Sequence, residues 1–581
     1  MTSPPKRWDI LPPAPTDYAA SLSDLSPLLV QLLYNRSILT AEEAGAFLSC
    51  AYEEGNPFRL KGMSEAVTRL RQALRAHEPI AVYGDYDVDG VSATALLVPV
   101  LSSLGATVTP YIPSRMEEGY GLNVDALQQL AQQGIRLVVT VDCGARSVAE
   151  AEAASRLGLD LIITDHHTPG DALPQAVAVI DPKREDDAYP FKQLAGVGLA
   201  FKLAQALLKT ERQVPLCREC SLPKEEDWLD LVALGTVADL APLVGENRTL
   251  VCRGLTELRQ ARRPGVAAML QEAAVLPQNV DAYVIGFVLG PRLNAAGRLE
   301  SAFASYELLT TLSQDRARVL ADQLGGQNRE RQKLMLQGVE KARQEVVALG
   351  DQRVYVLADE GYLVGLAGLV ASRITEEFHR PSVVIALEPD VSRGSARSIS
   401  TFHITRALDE CRGLMERHGG HAAAAGLTIR NENIDSLRSG LLRIADRDLT
   451  EEDLVPSLKI DWVQPLTDVN GNTWQQIELL RPFGVGNPTP VLASANVEVR
   501  EARSIGTDRP GLKLKLSDGR AVWDAVAFQG VTREQLAPRI DVAYTLQRRT
   551  WNGQTRLEMI IKDVRPAGYV AGLQPKQVRY K

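Results

Sequence analysis

Three apolar runs in this chain end in side chains able to hold a divalent metal. PIAVYGDYDVDG runs into Asp85, Asp87 and Asp89, IRLVVTVDCG into Asp142, and LDLIITDHH into Asp165, His166 and His167. Carboxylates with one or two imidazoles suit Mn²⁺ or Mg²⁺ better than structural zinc, which prefers thiolates. Two such ions about 4 Å apart can activate a water and stabilise both oxygens of an in-line phosphoryl displacement. The chemistry these residue types point to is therefore metal-dependent phosphoester hydrolysis. Each residue also has a plainer explanation: an Asp after a strand often caps the next helix, and paired histidines can be surface residues. Their coincidence argues otherwise, because only 7 histidines exist and two follow a strand-like run and an Asp directly.

The runs lack polar alternation, as strands buried on both faces of a parallel sheet do. TVTPYIPSR and AVAVIDPK read the same way, and NVDALQQLAQQG and SVAEAEAASRLG supply helical crossovers. In open α/β sheets ligands collect beyond the carboxyl ends of the strands, near a topological switch point. Carboxylates crowded there could not all stay ionised without a cation. From Ser313 to Leu349 the sequence is Pro-free and rich in Arg, Gln, Glu and Leu, which predicts a long helix joining two lobes, interrupted at Gly325-Gly326. RVYVLA, PSVVIAL and HGGHAAAAG then mark a second α/β segment, and from Leu454 short alternating strands with Gly turns predict a small β-barrel.

At 581 residues, three or four folded units are expected. The opening MTSPPKRWDILPPAP lacks the apolar core of a secretory signal, and no apolar stretch is long enough to cross a bilayer, so a cytoplasmic protein is expected. The 6 cysteines are scattered and give no disulfide framework; Cys217 and Cys220 form a CxxC without a second pair, which favours loop thiols over zinc. A net charge of −8, taken alone, argues against nucleic-acid binding. A basic groove can nevertheless coexist with an acidic remainder.

These motifs, in order, resemble the DHH phosphoesterase superfamily. GDYDVDG, VDCG, DHH and GTVADLAPLVGENR resemble its four motifs, the last bringing in Asp239. GPRLNAAGRL and LAGVGLAFKL look specifically like the bacterial single-strand-specific 5′→3′ exonucleases within it. GSARSISTF and HGGHAAAAG resemble the DHH-associated domain, and LLRPFGVGNPTPV with the β-rich tail resembles those exonucleases' OB region; the likeness runs from Trp8 to Pro566. It implies an α/β, two-lobed DHH core, with a parallel-sheet lobe and a DHH-associated lobe joined by the long helix, and a C-terminal OB-like β-barrel. The expected divisions are 1–50 helical segment, 51–312 catalytic domain, 313–349 connecting helix, 350–453 DHH-associated domain, 454–570 OB-like domain and 571–581 tail.

The resemblance implies two Mn²⁺ or Mg²⁺ ions on Asp87, Asp89, Asp142, His166 and Asp239, with Asp142 bridging. Asp85 supports the ligands, His167 faces the scissile phosphate, and Asp165 orients the imidazole pair. It also implies processive release of 5′-mononucleotides in DNA repair and recombination by a monomer, with a helicase and a single-strand-binding protein as partners. Arg115, Arg292, Asn294, Arg298, Arg373, Ser395, Arg397, Gly420 and His421 are the expected DNA contacts, with Tyr120 stacking on a base. In the tail, Lys513, Lys515, Arg548, Arg549, Trp551 and Arg556 interleave basic and aromatic side chains, as single-strand-binding barrels do.

Two departures limit the transfer. Tyr362, Leu363 and Val364 stand where the family commonly has Trp-His-Pro, so Leu363 takes no role, and Asp181 in IDPKR replaces an Asn and is not counted as a ligand. Two rivals remain: another DHH enzyme acting on cyclic dinucleotides, nanoRNA or pyrophosphate, and a non-enzymatic DNA-binding scaffold. The OB-like tail and GPRLNAAGRL speak against the first, and the complete ligand set against the second.

Overall fold

The structure is a computed structural model and describes residues 6–572, apart from 115–117, 217–221, 300, 507–510, 529–530 and 552–553. The CxxC at Cys217 and Cys220 and the expected DNA contact Arg115 lie outside the described residues. The chain divides into two compact units. The first comprises Gly45–Arg331 with Pro482–Pro488, and the second Met1–Ala44, Gln332–Arg481 and Thr489–Lys581.

In the first unit, β1 (Ile80–Tyr83), β2 (Val108–Tyr111), β3 (Leu137–Val141), β4 (Asp160–Thr164) and β5 (Ala178–Ile180) form one parallel sheet in the order β2-β1-β3-β4-β5. Every residue of β1 and β3 is buried, as the unalternating runs predict. Because β2 lies on one side of β1 and β3 on the other, the crossovers diverge between β1 and β3, which is the switch point. Helix α1 (Val88–Ser103) leaves β1 and is buried on nearly every face, packed against α2 (Gly196–Gln213) and α3 (Leu229–Ala238). Its sequence VDGVSATALLVPVLSS accordingly has no polar stripe.

Two expectations are corrected here. Cys50 and Cys252 are joined by a disulfide, their Cα atoms 6.4 Å apart; they lie far apart in sequence, so their spacing gave no sign of it. After α4 (Gly290–Leu299), α5 (Gln314–Leu349) is one continuous helix without a break at Gly325-Gly326. Gly325 serves close approach instead: a Cβ there would lie 2.1 Å from the Glu272 carboxylate.

The second unit holds a sheet of β6 (Tyr355–Asp359), β7 (Ser382–Ala386), β8 (Val391–Arg397), β9 (Met415–Gly420) and β10 (Ala424–Arg430), in the order β9-β10-β8-β7-β6. Only β6 and β7 run parallel. It also holds a barrel of β11 (Leu492–Ile505), β12 (Gly511–Ser517), β13 (Val522–Ala527), β14 (Arg539–Trp551) and β15 (Gln554–Pro566), closed by pairing of β11 with β14, consistent with an OB fold. The N-terminal stretch carries helices Thr16–Ser21, Pro27–Asn35 and Ala41–Ser49, and its first part belongs to this unit. Strand Arg7–Ile10 pairs in parallel with Ser457–Ile460, and Trp8 is buried among Ile460, Ala493 and Ala543 with its indole N–H donating to Asp563 at 2.7 Å. Trp8→Ala should therefore lower the stability of this unit by about 3–5 kcal/mol, read as an earlier urea transition for the barrel.

Candidate active site

Four side chains converge at the carboxyl end of the parallel sheet. Nε2 of His166 lies 3.0 Å from Oδ1 of Asp142, 3.8 Å from Oδ2 of Asp89 and 3.8 Å from Oδ2 of Asp239. Asp85, Asp87 and Asp142 form an adjoining group. The Asp142 Oδ1 and His166 Nε2 atoms are buried and take no hydrogen bond, although they are close enough for one. Two buried ligating atoms this close, neither taking a hydrogen bond, suit a cation between or beside them. The expected ligands Asp87, Asp89, Asp142, His166 and Asp239 are thus brought together, and Asp85 with them.

The electrostatics agree. Burial, and then the Asp87 charge, push Asp89 up to about 7; burial, and then Asp89, push Asp239 up to about 9; and burial with Asp89 beside it carries Asp142 well above the carboxylate range. Burial, and then the neighbouring His167, hold His166 down to about 3, so its imidazole is neutral, the form that can ligate. Without a cation this many buried carboxylates would have to take up protons. The residues present fit a divalent pair.

The second histidine is held differently. Its Nδ1 lies 2.8 Å from Asp165 Oδ1 and 2.9 Å from the Tyr120 hydroxyl. Asp165 also accepts the amides of Ala145, His166 and His167. Burial alone would raise the Asp165 carboxyl, but these hydrogen bonds and the His167 charge bring it below its ordinary value. For His167 the same pairing outweighs burial and raises the imidazole. With Nδ1 engaged, Nε2 is the ring nitrogen left for a further partner.

Glycines and backbone set these positions. Asp87 caps α1, accepting from the amides of Asp89 and Gly90, and Asp142 follows β3 in the left-handed region at φ 67°, a strained conformation typical of functional sites. Asp89 accepts the amides of Gly196 and Val197 at the start of α2. A Cβ on Gly196 would lie 2.5 Å from Asp142, and one on Gly235 would lie 2.7 Å from Asp89. Asp239 caps the end of α3, and the loop after it is gripped by the segment Pro482–Pro488. The amide of Leu243 donates to the carbonyl of Val485 at 2.8 Å, the buried Arg248 donates to the carbonyl of Pro482, and Gly486 (φ 74°) sits against Pro242 and Val244.

Among the remaining expected residues, Arg292 forms an ion pair with Glu272 at 2.7 Å, a carboxylate it shares with Arg329. Asn294 braces the loop that carries Asp85 and Asp87, accepting from the Val88 amide at 3.1 Å. Arg298 lies on α4, its side chain outside those described. Tyr120 is engaged by His167, an interaction its sequence position did not disclose. In the second unit, Ser395 and Arg397 share one face of β8 against Gly368, while Gly420 (φ 152°) and His421 lie at the turn into β10, whose Ala424 is paired with Arg397. Arg373 is exposed and pairs with Glu376 at 3.3 Å. Tyr362 is buried with its hydroxyl on Glu345, and Leu363 is half-exposed before helix Val364–Phe378.

On the barrel, Lys513 sits opposite Arg503, Lys515 pairs with Glu501 at 3.1 Å, and Arg548 lies over the Trp474 ring at 5.3 Å. Arg549 is opposite Arg556 and 3.4 Å from Glu558; the side chain of Trp551 is not among those described. Sequence reasoning missed the Pro482–Pro488 clamp and the Gly196 and Gly235 approaches. The closely spaced glycines of LAGVG and PFGVGN were the available signal.

Residues 79–236 match the DHH family, N-terminal domain, residues 351–445 the DHHA1 domain, and residues 460–563 the RecJ OB domain. The chain is 38% identical to the single-stranded-DNA-specific exonuclease RecJ of Bacillus subtilis, over 97% of this chain and 71% of that protein. The chain belongs to the RecJ family. RecJ of Escherichia coli is 35% identical, over 94% of this chain and 96% of its own. The crystal structure of RecJ from Thermus thermophilus in complex with Mn²⁺ superposes with a TM-score of 0.82 at 30% identity, covering 99% of this chain and 80% of that one. The RecJ resemblance seen in the motifs, and the fold it implies, are borne out.

Two outcomes follow from this geometry. Gly486→Ala places a Cβ 3.1 Å from Pro242 at a left-handed φ, and should weaken Mn²⁺ binding about 10–100-fold through the displaced Asp239 loop, measured by calorimetric titration. Asp181 is fully buried and burial pushes its carboxyl up to about 7, so the folded state loses stability as pH rises from the unfolded value near 4 through 7. Asp181→Asn should raise the thermal midpoint at pH 8, with the two proteins converging near pH 4.

Proposed function

We propose that this protein is a single-stranded-DNA-specific 5′→3′ exonuclease that releases 5′-mononucleotides by two-metal-ion phosphodiester hydrolysis. The observation that carries this reading is the convergence of Asp89, Asp142, His166 and Asp239, with Asp85 and Asp87 adjoining, at the switch point of a RecJ-family fold.

Asp87, Asp89, Asp142, His166 and Asp239 would hold the ions, Mn²⁺ or Mg²⁺, both of which are present in structures of the Thermus thermophilus relative. When bound, such ions supply Lewis acidity and charge neutralisation for an in-line displacement at phosphorus. His167, fixed through Nδ1 by Asp165 and Tyr120, presents Nε2 to a phosphoryl oxygen, and its raised affinity for a proton lets it donate a charged hydrogen bond there. Asp165 keeps the ring orientation by accepting from Ala145, His166 and His167 together.

The closed barrel supports single-strand binding, with Lys513, Lys515, Arg548 and Arg549 as basic side chains on β12 and β14, and the Ser395, Arg397, Gly420 and His421 group supports a second contact with the strand. Among the described residues, no helix is long and apolar enough to cross a membrane. A cytoplasmic monomer fed by a helicase or a single-strand-binding protein in repair and recombination fits this activity.

The test is digestion of end-labelled single strands with Mn²⁺. Asp142→Ala should reduce the rate by more than about a hundredfold, because losing even a ligand's supporting partner typically costs about 10–100-fold. EDTA should abolish digestion and added Mn²⁺ restore it. Full activity in Asp142→Ala would refute the metal assignment, and cleavage of dinucleotides alone would favour the other DHH chemistries.

A further inference from the structure

On the first unit, two aromatic rings lie in the open. Tyr283 and Phe287 are 65% and 68% exposed and stack on each other, with centroids 4.7 Å apart and planes 26° apart. They sit one turn apart where a short helix, Ala282–Val284, passes into a π turn, Ile285–Leu289, and on into α4. Single π turns inside helices recur at functional sites. The packing of this stretch does not use the rings. Ile285 and Leu289 are buried, and Gly286 and Gly290 face α3, where Cβ atoms would lie 3.9 Å from Val237 and 3.5 Å from Ala238.

The stretch is tied to both halves of the candidate metal centre. Its packing partner α3 ends at Asp239. Further along, α4 braces the other ligand loop through Asn294 on the Val88 amide, and a Cβ on Gly297 would lie 2.9 Å from the Tyr86 carbonyl. The rings are therefore mounted on the elements that carry the ligands. Leu240, next after Asp239, is exposed as well.

We propose that Tyr283 and Phe287 form a stacking platform for nucleobases of the single strand on the first unit. The proposal rests on the functional reading above. Every base has a π-face, so aromatic stacking grips a strand without selecting its sequence, as digestion of arbitrary strands demands. Two rings already stacked offer a flat, pre-ordered surface, which reduces the ordering cost of binding. The plainer alternative is that a pair at i and i+4 merely supports its own helix.

Binding and digestion separate these possibilities. Fluorescence anisotropy in EDTA would compare a labelled oligo-dT strand with an abasic strand of equal length, for wild type, Tyr283→Ala/Phe287→Ala and Phe287→Trp. The double variant should bind oligo-dT about tenfold more weakly and the abasic strand within about twofold of wild type, while Phe287→Trp keeps the preference for bases. Wild-type affinity of the double variant for oligo-dT would overturn the platform and leave the rings to a protein surface. Equal loss on both strands would also overturn it, pointing to helix support. Digestion with Mn²⁺ is scored separately: a wild type that binds with base preference yet digests nothing would sink the nuclease reading and leave the platform standing.

Discussion

The governing constraint in this protein is electrostatic. Asp89, Asp142 and Asp239 surround one neutral imidazole in a site where burial opposes every negative charge. Such a cluster is unfavourable as protein alone and becomes favourable only around cations. The rest of the α/β unit is arranged to hold it regardless. The amides of Gly196 and Val197 are directed at Asp89, Asp142 is kept at a positive φ, and Gly196 and Gly235 stand where a Cβ would intrude on Asp142 and Asp89.

That arrangement also explains the unusual burial of α1. A helix that begins between Asp87 and Asp89 of the buried cluster must enter the middle of the unit, so its polar face disappears and its sequence becomes apolar throughout. The paired histidines divide under the same pressure. His166 faces the carboxylates and stays neutral, whereas His167, one residue on, meets Asp165 and gains affinity for a proton.

The parts of this design that lie within one run of sequence were legible. Unalternating apolar runs ending in acids pointed to the parallel sheet and to the cluster of acidic and histidine side chains after β1, β3 and β4, and the strand-and-Gly pattern pointed to the barrel. What could not be read depends on partners far away in the chain. The Glu272 carboxylate that claims Arg292, the hydroxyl of Tyr120 beside His167, and the Cys50–Cys252 bond all join segments that no local pattern relates. The continuity of α5 through Gly325-Gly326 was hidden for a similar reason, since the contact that makes a glycine useful there comes from another helix. Asp239 was legible only through family resemblance, because it ends a helix rather than a strand.

The seating of Pro482–Pro488 against the Asp239 loop has a consequence for the order of assembly. In a chain made from its N-terminus all five strands of the parallel sheet are synthesised early, yet Leu243 can receive its partner carbonyl only once synthesis has reached Val485. Every strand of the parallel sheet, from Ile80 to Ile180, is thus synthesised roughly three hundred residues before the carbonyl that braces the loop after Asp239, so the candidate centre is completed by one of the last parts of the chain to be made.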